Sequence, residues 1–307
     1  MSSRDAAANR QRLAGLDALR LSAMLLVTLQ HGLSALDRYD LTSPGGVNLG
    51  QAGVAIFCAI SGYLAFRRDD EAPGRWLWAR LAQIFPAYWL AMLFSFMVTW
   101  VFQVKPFTAA QFVSQMLGLG YFTHGWELVN VVSWFISLIL LCYLIATLAK
   151  WLRAPAYVLG AASLVAWVLV YMRWEIDLSR HVLAFSLAGL LSLRAPRAWI
   201  VWLAVAPLLF CPPWPQFSYA ALALAALAAM LAWRFTPPGI IQAMANHVYE
   251  FFLLHGIFLV GCIHFLPTRP LLGISLGIVA SMGGAVGLRR LVAGLPARLG
   301  HPVLQLK

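Results

Sequence analysis

Gly15-Leu16-Asp17-Ala18-Leu19-Arg20-Leu21-Ser22-Ala23-Met24-Leu25-Leu26-Val27-Thr28-Leu29-Gln30-His31-Gly32 is the core of the first apolar run of the chain, and it carries charges where hydrocarbon would lie. A run of about 20 mostly apolar residues is the length that spans a bilayer as a helix. At about 100° per residue, the eleven steps from Arg20 to His31 bring both side chains within about 20° of one face, about 16 Å apart along the axis. Asp17 lies one turn from Arg20 on the same stripe. A charge at the bilayer centre costs about 2.5–3.5 kcal/mol on insertion scales, so an intramembrane ionisable residue marks a functional site by default. Two readings fit the stripe. One is a buried Asp17–Arg20 ion pair with His31 hydrogen-bonded to a neighbouring helix; the other is a face that carries chemistry.

Outward from this stretch the chain keeps the same character. Of its 307 residues, 62% are hydrophobic and 11% charged, against about 25% charged in soluble domains. The mean hydropathy is +0.78. Apolar runs recur near 14–36, 48–66, 76–104, 130–151, 155–172, 181–193, 198–213, 217–235, 243–266 and 270–290, and 107–125 reads as a partly embedded or interfacial helix. The breaks fall at Pro44 to Gly46, Pro73-Gly74, Pro155, Pro196, the Cys211-Pro-Pro-Trp-Pro run and Pro237-Pro238-Gly239, since backbone N–H groups in hydrocarbon must be satisfied within the helix. The pattern predicts an all-α polytopic membrane protein of about ten transmembrane helices. No small-residue cleavage site follows the first run, so a signal peptide is not expected.

Basic residues set the orientation. With a cytoplasmic N-terminus, sixteen fall inside: Arg4, Arg10, Arg12, Arg67, Arg68, Arg75, Arg80, Lys150, Arg153, Arg194, Arg197, Arg234, Arg289, Arg290, Arg298 and Lys307. Five fall outside, namely Arg38, Lys105, Arg173, Arg180 and Arg269, while Arg20 stays within a helix. This asymmetry follows the positive-inside rule and places both termini in the cytoplasm. The +11 net charge is then explained by topology and anionic lipid headgroups, with no nucleic-acid partner. The chain reads as one transmembrane domain over 1–307, with a cytoplasmic head at 1–13, a cytoplasmic tail at 291–307 and no appended soluble domain. Cys58, Cys142, Cys211 and Cys262 sit singly, so neither a metal site nor a disulfide framework is expected.

A second polar group lies late in the chain, in Asn246-His247-Val248-Tyr249-Glu250-Phe251-Phe252-Leu253-Leu254-His255-Gly256. This span runs from inside to outside, which puts His255 near mid-membrane, where it is placed to meet His31 or Arg20. Glu250 needs a partner, supplied by His247 or by a cation on another helix, and simple structural pairing is an equally good reading. His264, nine residues beyond His255, points to the opposite face and reads as packing. The connection bearing Arg67, Arg68, Arg75 and Arg80 is ordinary positive-inside decoration, and it also suits a phosphate-bearing ligand, because arginine forks match phosphate oxygens.

Taken together, these segments resemble the acyltransferase type 3 family, bacterial integral-membrane enzymes that acylate cell-surface glycans. Arg20 and His31 match its first-helix pair, with Leu16-Asp17-Ala18-Leu19-Arg20 similar to the usual opening. Gly53-Val54, Phe57 and Ser61-Gly62-Tyr63-Leu64 match the second-helix pattern, and Arg80 through Pro86, Tyr88 and Trp89 the entry to the third. Trp134-Phe135-Ile136 with Tyr143, and then Tyr249 with Leu254-His255, complete five motifs in order along nearly the whole chain. Two positions depart from the pattern: Gln83 where many members place arginine, and Ala55 where many carry Asp or Pro.

The resemblance implies a multi-pass enzyme of the bacterial inner membrane. It would move an acyl group, acetyl above all, from cytoplasmic acetyl-CoA or another acyl-CoA to a hydroxyl of a glycan or glycolipid, with no tightly bound cofactor. It implies His31 as general base or transient acyl carrier and Arg20 as the cation that stabilises donor phosphate or oxyanion. Arg80, Arg75, Arg68 and Tyr88 would bind the donor, while Asp17, Glu250, His255, Tyr249 and Trp134 would support the site. His124, Trp126 and Glu127 are candidates for the acceptor, and a belt of interfacial aromatics explains them as well. Three other classes fit the buried groups less closely. A proton-relay transporter would show repeats with broken helices in both halves. A non-catalytic glycolipid binder would need no His31. For a serine protease, Ser61-Gly62 reads better as small-residue helix packing.

Overall fold

The computed structural model describes residues 3–67, 71–193, 215–232 and 237–298. The expected span at 198–213, together with Arg68 and Cys211, lies outside these residues. All regular structure among the described residues is helical, as the apolar periodicity predicts. In chain order the helices are α1 (Ser3–Ala35), α2 (Tyr39–Thr42), α3 (Leu49–Ala65), α4 (Pro73–Val101), α5 (Ala109–Met116), α6 (Gly120–His124) and α7 (Trp134–Trp151). They continue with α8 (Pro155–Tyr171), α9 (Ser179–Ser192), α10 (Pro215–Ala232), α11 (Gly239–Ala245), α12 (Val248–Phe265) and α13 (Pro270–Arg298). Proline opens α4, α8, α10 and α13, where its missing N–H is one that no helix turn would use.

Among the described residues, five stretches are long and apolar enough to cross a membrane: Pro44–Ala65, Pro73–Val101, Val131–Trp151, Val248–Phe265 and Pro270–Gly294. The chain is a multi-pass membrane protein. Helix α1 covers the expected span at 14–36 as far as Ala35, with Asp17, Arg20, Gln30 and His31 interrupting its apolar run. Helix α8 has 17 residues and α9 only 14, short for a perpendicular crossing at 1.5 Å per residue.

The contacts group into two compact units, one of Met1–Ala79 with Leu138–Asn246 and the other of Arg80–Ser137 with His247–Lys307. In unit one, α3 packs on α1, α9 and α10, and α8 packs on α9. Two glycines of α3 set how closely its neighbours approach. A Cβ on Gly53 would stand 2.5 Å from the Ala23 carbonyl oxygen of α1, and one on Gly62 would stand 2.0 Å from the Phe185 carbonyl oxygen of α9. The Gly53 and Ser61-Gly62 motifs are therefore backbone-to-backbone crossings of the small-residue kind. Helix α3 starts at Asn48, whose side chain accepts the Gln51 N–H at 3.0 Å.

In unit two, α12 and α13 form an antiparallel pair in which Gly273 and Gly277 meet the backbone of Ile263 and Leu259. Between α4 and α7 the chain makes two short helices, α5 and α6, where the sequence suggests one partly embedded helix. Their break is closed by hydrogen bonds that replace the missing helical ones. Gly118 takes a left-handed turn, φ 74°, and the Ser137 hydroxyl donates to its carbonyl at 2.7 Å. The Tyr121 N–H donates to the same hydroxyl at 3.3 Å. Protein groups thus satisfy the backbone where the helical ladder stops.

Candidate acyl-transfer site

Helix α1 presents the sequence-predicted stripe. The Arg20 guanidinium donates to Asp17 at 2.7 Å, a pair spaced i, i+3 with about a third of each side chain exposed (36% and 33%). His31, on the same stripe, is half-buried near the C-terminal end of the helix. Next to it, Gln30 donates to the Ser34 hydroxyl at 3.0 Å. The side chains of Asp17, Arg20 and His31 belong to unit one.

The other predicted groups divide between the units. Arg75 is exposed at the start of α4. Further along α4, in unit two, Arg80 donates to Gln83 Oε1 at 3.0 Å, so the residue standing in place of the family's arginine holds its neighbour's guanidinium. Tyr88 is fully buried and its hydroxyl donates to the Gln115 carbonyl, while Trp89 Nε1 donates to the Met116 carbonyl at 2.9 Å. These two side chains tie the end of α5 to α4. Gln115 also accepts the Val129 N–H at 3.0 Å, and buried Asn130 donates to Ser95 and to the Leu253 carbonyl at 3.1 and 3.2 Å.

On α12, Tyr249 donates to the Ile84 carbonyl at 2.9 Å. His255 is buried with Nδ1 at 2.7 Å from the Phe252 carbonyl and its ring stacked on Phe251. Of the two partners the sequence offers Glu250, the cation on another helix is realised as Arg289 of α13, at 3.9 Å. That length is an ion pair without a hydrogen bond, and Glu250 Oε2 and His247 Nδ1 are buried with no hydrogen-bond partner. Trp134, Trp126 and Tyr121 gather into one aromatic group, with Trp126–Trp134 ring centroids 5.3 Å apart and Tyr121–Trp126 5.4 Å apart. His124 Nδ1 meets the hydroxyls of Thr123 and Ser114 at 2.7 and 3.2 Å, and the exposed Glu127 gives its carbonyl to Gln111 at 3.3 Å. Nearby, outside the spans, the Lys105 ammonium donates to the Leu128 carbonyl, and burial draws its pKa below the usual lysine range against the pull of Glu127. Among the described residues no three His, Cys, Asp or Glu side chains gather as a metal site requires.

Sequence reasoning missed a polar cluster in unit one. Arg180, only 6% exposed, donates to Asp177 at 2.8 Å and to Gln216 at 2.7 Å, with its guanidinium 5.1 Å from the Tyr219 ring centroid. His181, fully buried, meets the carbonyls of Asp177 and Gln51 at 2.6 and 3.3 Å. The signal was present: Asp177-Leu178-Ser179-Arg180 repeats the i, i+3 spacing of Asp17-Ala18-Leu19-Arg20.

The sequence that carries these residues is matched by a family model. A model described as an acyltransferase domain aligns with residues 13–290. The chain belongs to the acyltransferase type 3 family. Searches of curated proteins and of solved structures return no match. The family covers all five motifs and assigns the chain to membrane acyl transfer.

Proposed function

We propose that this acyltransferase moves an acyl group, acetyl in the first instance, from a cytoplasmic acyl-CoA to a hydroxyl of a glycan or glycolipid. Its setting is a bacterial inner membrane, with about ten spans and both termini cytoplasmic. The observation that carries the reading is the α1 stripe inside the family match: Arg20 oriented by Asp17 at 2.7 Å, and His31 further along the same helix.

The transfer needs a base, a cation and a dry place for them. An acceptor hydroxyl loses its proton to the neutral imidazole of His31 as its oxygen attacks the thioester carbonyl carbon. A carbon–oxygen bond forms, the carbon–sulfur bond breaks, and the coenzyme A thiolate leaves, taking the proton back from His31. Alternatively His31 itself carries the acyl group between the two steps. Arg20 stabilises donor phosphate or the developing oxyanion, a contribution that grows as water is excluded. Arg75 and Arg80 supply forks for donor phosphates, with Arg68 of the same basic stretch. Tyr88 serves the donor through the segment it holds, since its hydroxyl is engaged by Gln115. Trp134, Tyr249, Glu250 and His255 maintain the polar and aromatic framework of their own unit. His124, Trp126 and Glu127 offer the aromatic faces and carboxylate that suit a sugar ring.

The test is label transfer from acetyl-CoA in membranes containing native protein, His31→Ala or Arg20→Ala at matched amounts. Label is expected in the extractable glycan or glycolipid of the native sample and absent with His31→Ala. Equal labelling with and without His31, or none from acetyl-CoA and longer acyl-CoAs with native protein, would sink the reading.

A further inference from the structure

Two buried atoms at the start of α12, Glu250 Oε2 and His247 Nδ1, take part in no hydrogen bond. A buried polar atom without a partner costs stability, so its presence calls for an explanation. His247 is the N-cap of α12 and Glu250 its third residue, positions from which side chains ordinarily close a helix end. Here the imidazole makes no cap bond. The Glu250 carboxylate interacts electrostatically with both His247 and Arg289, so the three groups form one cluster.

The cluster opens toward solvent at its edge. Glu250 is 8% exposed, whereas His247 is half-buried and the Arg289 side chain, 3.9 Å from Glu250 Oε1, is 48% exposed. Exposed Arg290 follows Arg289 in α13. On the side of α4, the Tyr249 hydroxyl donates to the Ile84 carbonyl, one helical turn from Arg80. Helices α4, α12 and α13 therefore bring Arg80, Arg289 and Arg290 to the same end of unit two as the unsatisfied carboxylate and imidazole.

Such a set selects its ligand by chemistry. Arginine forks take phosphate oxygens. The remaining pair suits a group that gives an N–H to the carboxylate and takes one from the imidazole along a single edge. A trans amide, as in a pantetheine arm, points its N–H and its carbonyl in opposite directions. The exocyclic amino group of adenine stands directly beside a ring-nitrogen acceptor.

We propose that this cluster binds the adenine of the acyl donor. The amino group donates to Glu250 Oε2, the adjacent ring nitrogen accepts from His247 Nδ1, and Arg289, Arg290 and Arg80 take the phosphates. The His247 ring, half-buried and without a cap bond, turns to admit the base. The assignment rests on the acyl-transfer reading above and narrows the donor to a coenzyme A thioester, against thioesters that carry the phosphopantetheine arm alone.

The full chain in nanodiscs is titrated calorimetrically with coenzyme A and with etheno-coenzyme A, whose extra ring bridges the amino group and its neighbouring nitrogen. Acetyl transfer is run in parallel from the acetyl thioester of each. Native protein is expected to bind coenzyme A about thirtyfold more tightly, the size of one hydrogen bond to a charged group, with the difference in KM and little change in kcat. Glu250→Met is expected to lose about thirtyfold in coenzyme A affinity and to erase the discrimination, while Glu250→Gln, which keeps an acceptor oxygen, retains part of it. His247→Ala should weaken coenzyme A binding about fivefold. Equal affinity of native protein for the two compounds overturns the proposal, and that comparison needs no variant. Discrimination that survives Glu250→Met also overturns it, since a carboxylate serving only the packing of α12 on α13 would give that result, and so does unaltered affinity in His247→Ala. If native protein binds neither compound and transfers no acetyl, the acyl-CoA reading itself falls, and this assignment with it.

Discussion

Replacing Gly62 by alanine is the sharpest single perturbation this fold offers. The added Cβ would stand 2.0 Å from the Phe185 carbonyl oxygen, 2.8 Å from its carbon and 3.1 Å from its Cα, where ordinary contact begins at 3.4 Å. All three atoms are backbone of α9, so no side chain can swing aside. Helices α3 and α9 must therefore separate by about 1.4 Å (3.4 less 2.0) or bend. Overpacking of this kind costs about 1–3 kcal/mol and sometimes more, whereas alanine gains at most about 1 kcal/mol over glycine in helix propensity. The net expected loss is about 2 kcal/mol, equivalent to a fall in Tm of about 4 °C for a chain of this size. Gly283→Ala in α13 is the matched control, because nothing lies within 4 Å of its Cβ position. The assay is thermal unfolding of purified protein in one detergent, read by loss of the monodisperse elution peak. Gly283→Ala should match or exceed native stability while Gly62→Ala falls below it. Equal Tm values for Gly62→Ala and native protein would refute the argument that this backbone crossing sets the helix separation.

Other outcomes follow from the same geometry. Tyr88→Phe leaves the buried Gln115 carbonyl without that donor, and a stability loss of about 1–2 kcal/mol is expected by thermal unfolding. Asp17→Asn removes the charge that orients Arg20 and should lower kcat for acetyl transfer several-fold while Tm changes little, because the pair is one-third exposed. Near the first connection, Arg38 holds the Asp40 carboxyl below the usual aspartate range. Its contribution is complete above the ordinary aspartate pKa and is lost as pH falls through the depressed one. Asp40→Asn should therefore lower stability slightly at neutral pH, leave it unchanged below the depressed pKa, and so flatten the pH dependence between the two in the same unfolding assay.

Much of the architecture was legible because hydrocarbon permits few patterns. Proline and glycine marked the breaks, and Pro73, Pro155 and Pro270 each open a helix near the expected boundary. The first helix shows where sequence and function overlap: Asp17, Arg20, Gln30 and His31 interrupt an otherwise apolar helix, and the same polar stripe marks α1 as functional. The Asp17–Arg20 pair could be read from spacing, since a helix fixes which residues meet at i, i+3. The Asp177–Arg180 pair repeats that spacing, but the rest of the Arg180 cluster could not be read in this way. Its contacts reach 36 residues to Gln216 and 130 from His181 to Gln51, and only the packing of α3, α9 and α10 brings them together. Gln115, Asn130 and Ser137 were hidden for the same reason, each bonded to carbonyls or amides of other elements.

The sequence separation within unit two has a consequence for how the protein is made. Asn130 waits for a carbonyl 123 residues later in the chain, and the hydroxyl of Tyr249 closes on an Ile84 carbonyl 165 residues earlier. At about 5–20 residues per second, the ribosome needs on the order of 10 s to deliver α12 after α7 has left it. During that interval Asn130 has Ser95 but not the Leu253 carbonyl, and the Ile84 carbonyl lacks the Tyr249 hydroxyl. Insertion must therefore be followed by a late assembly step, in which the last two helices complete a unit begun long before them. A chain truncated before His247 would lack both of these bonds.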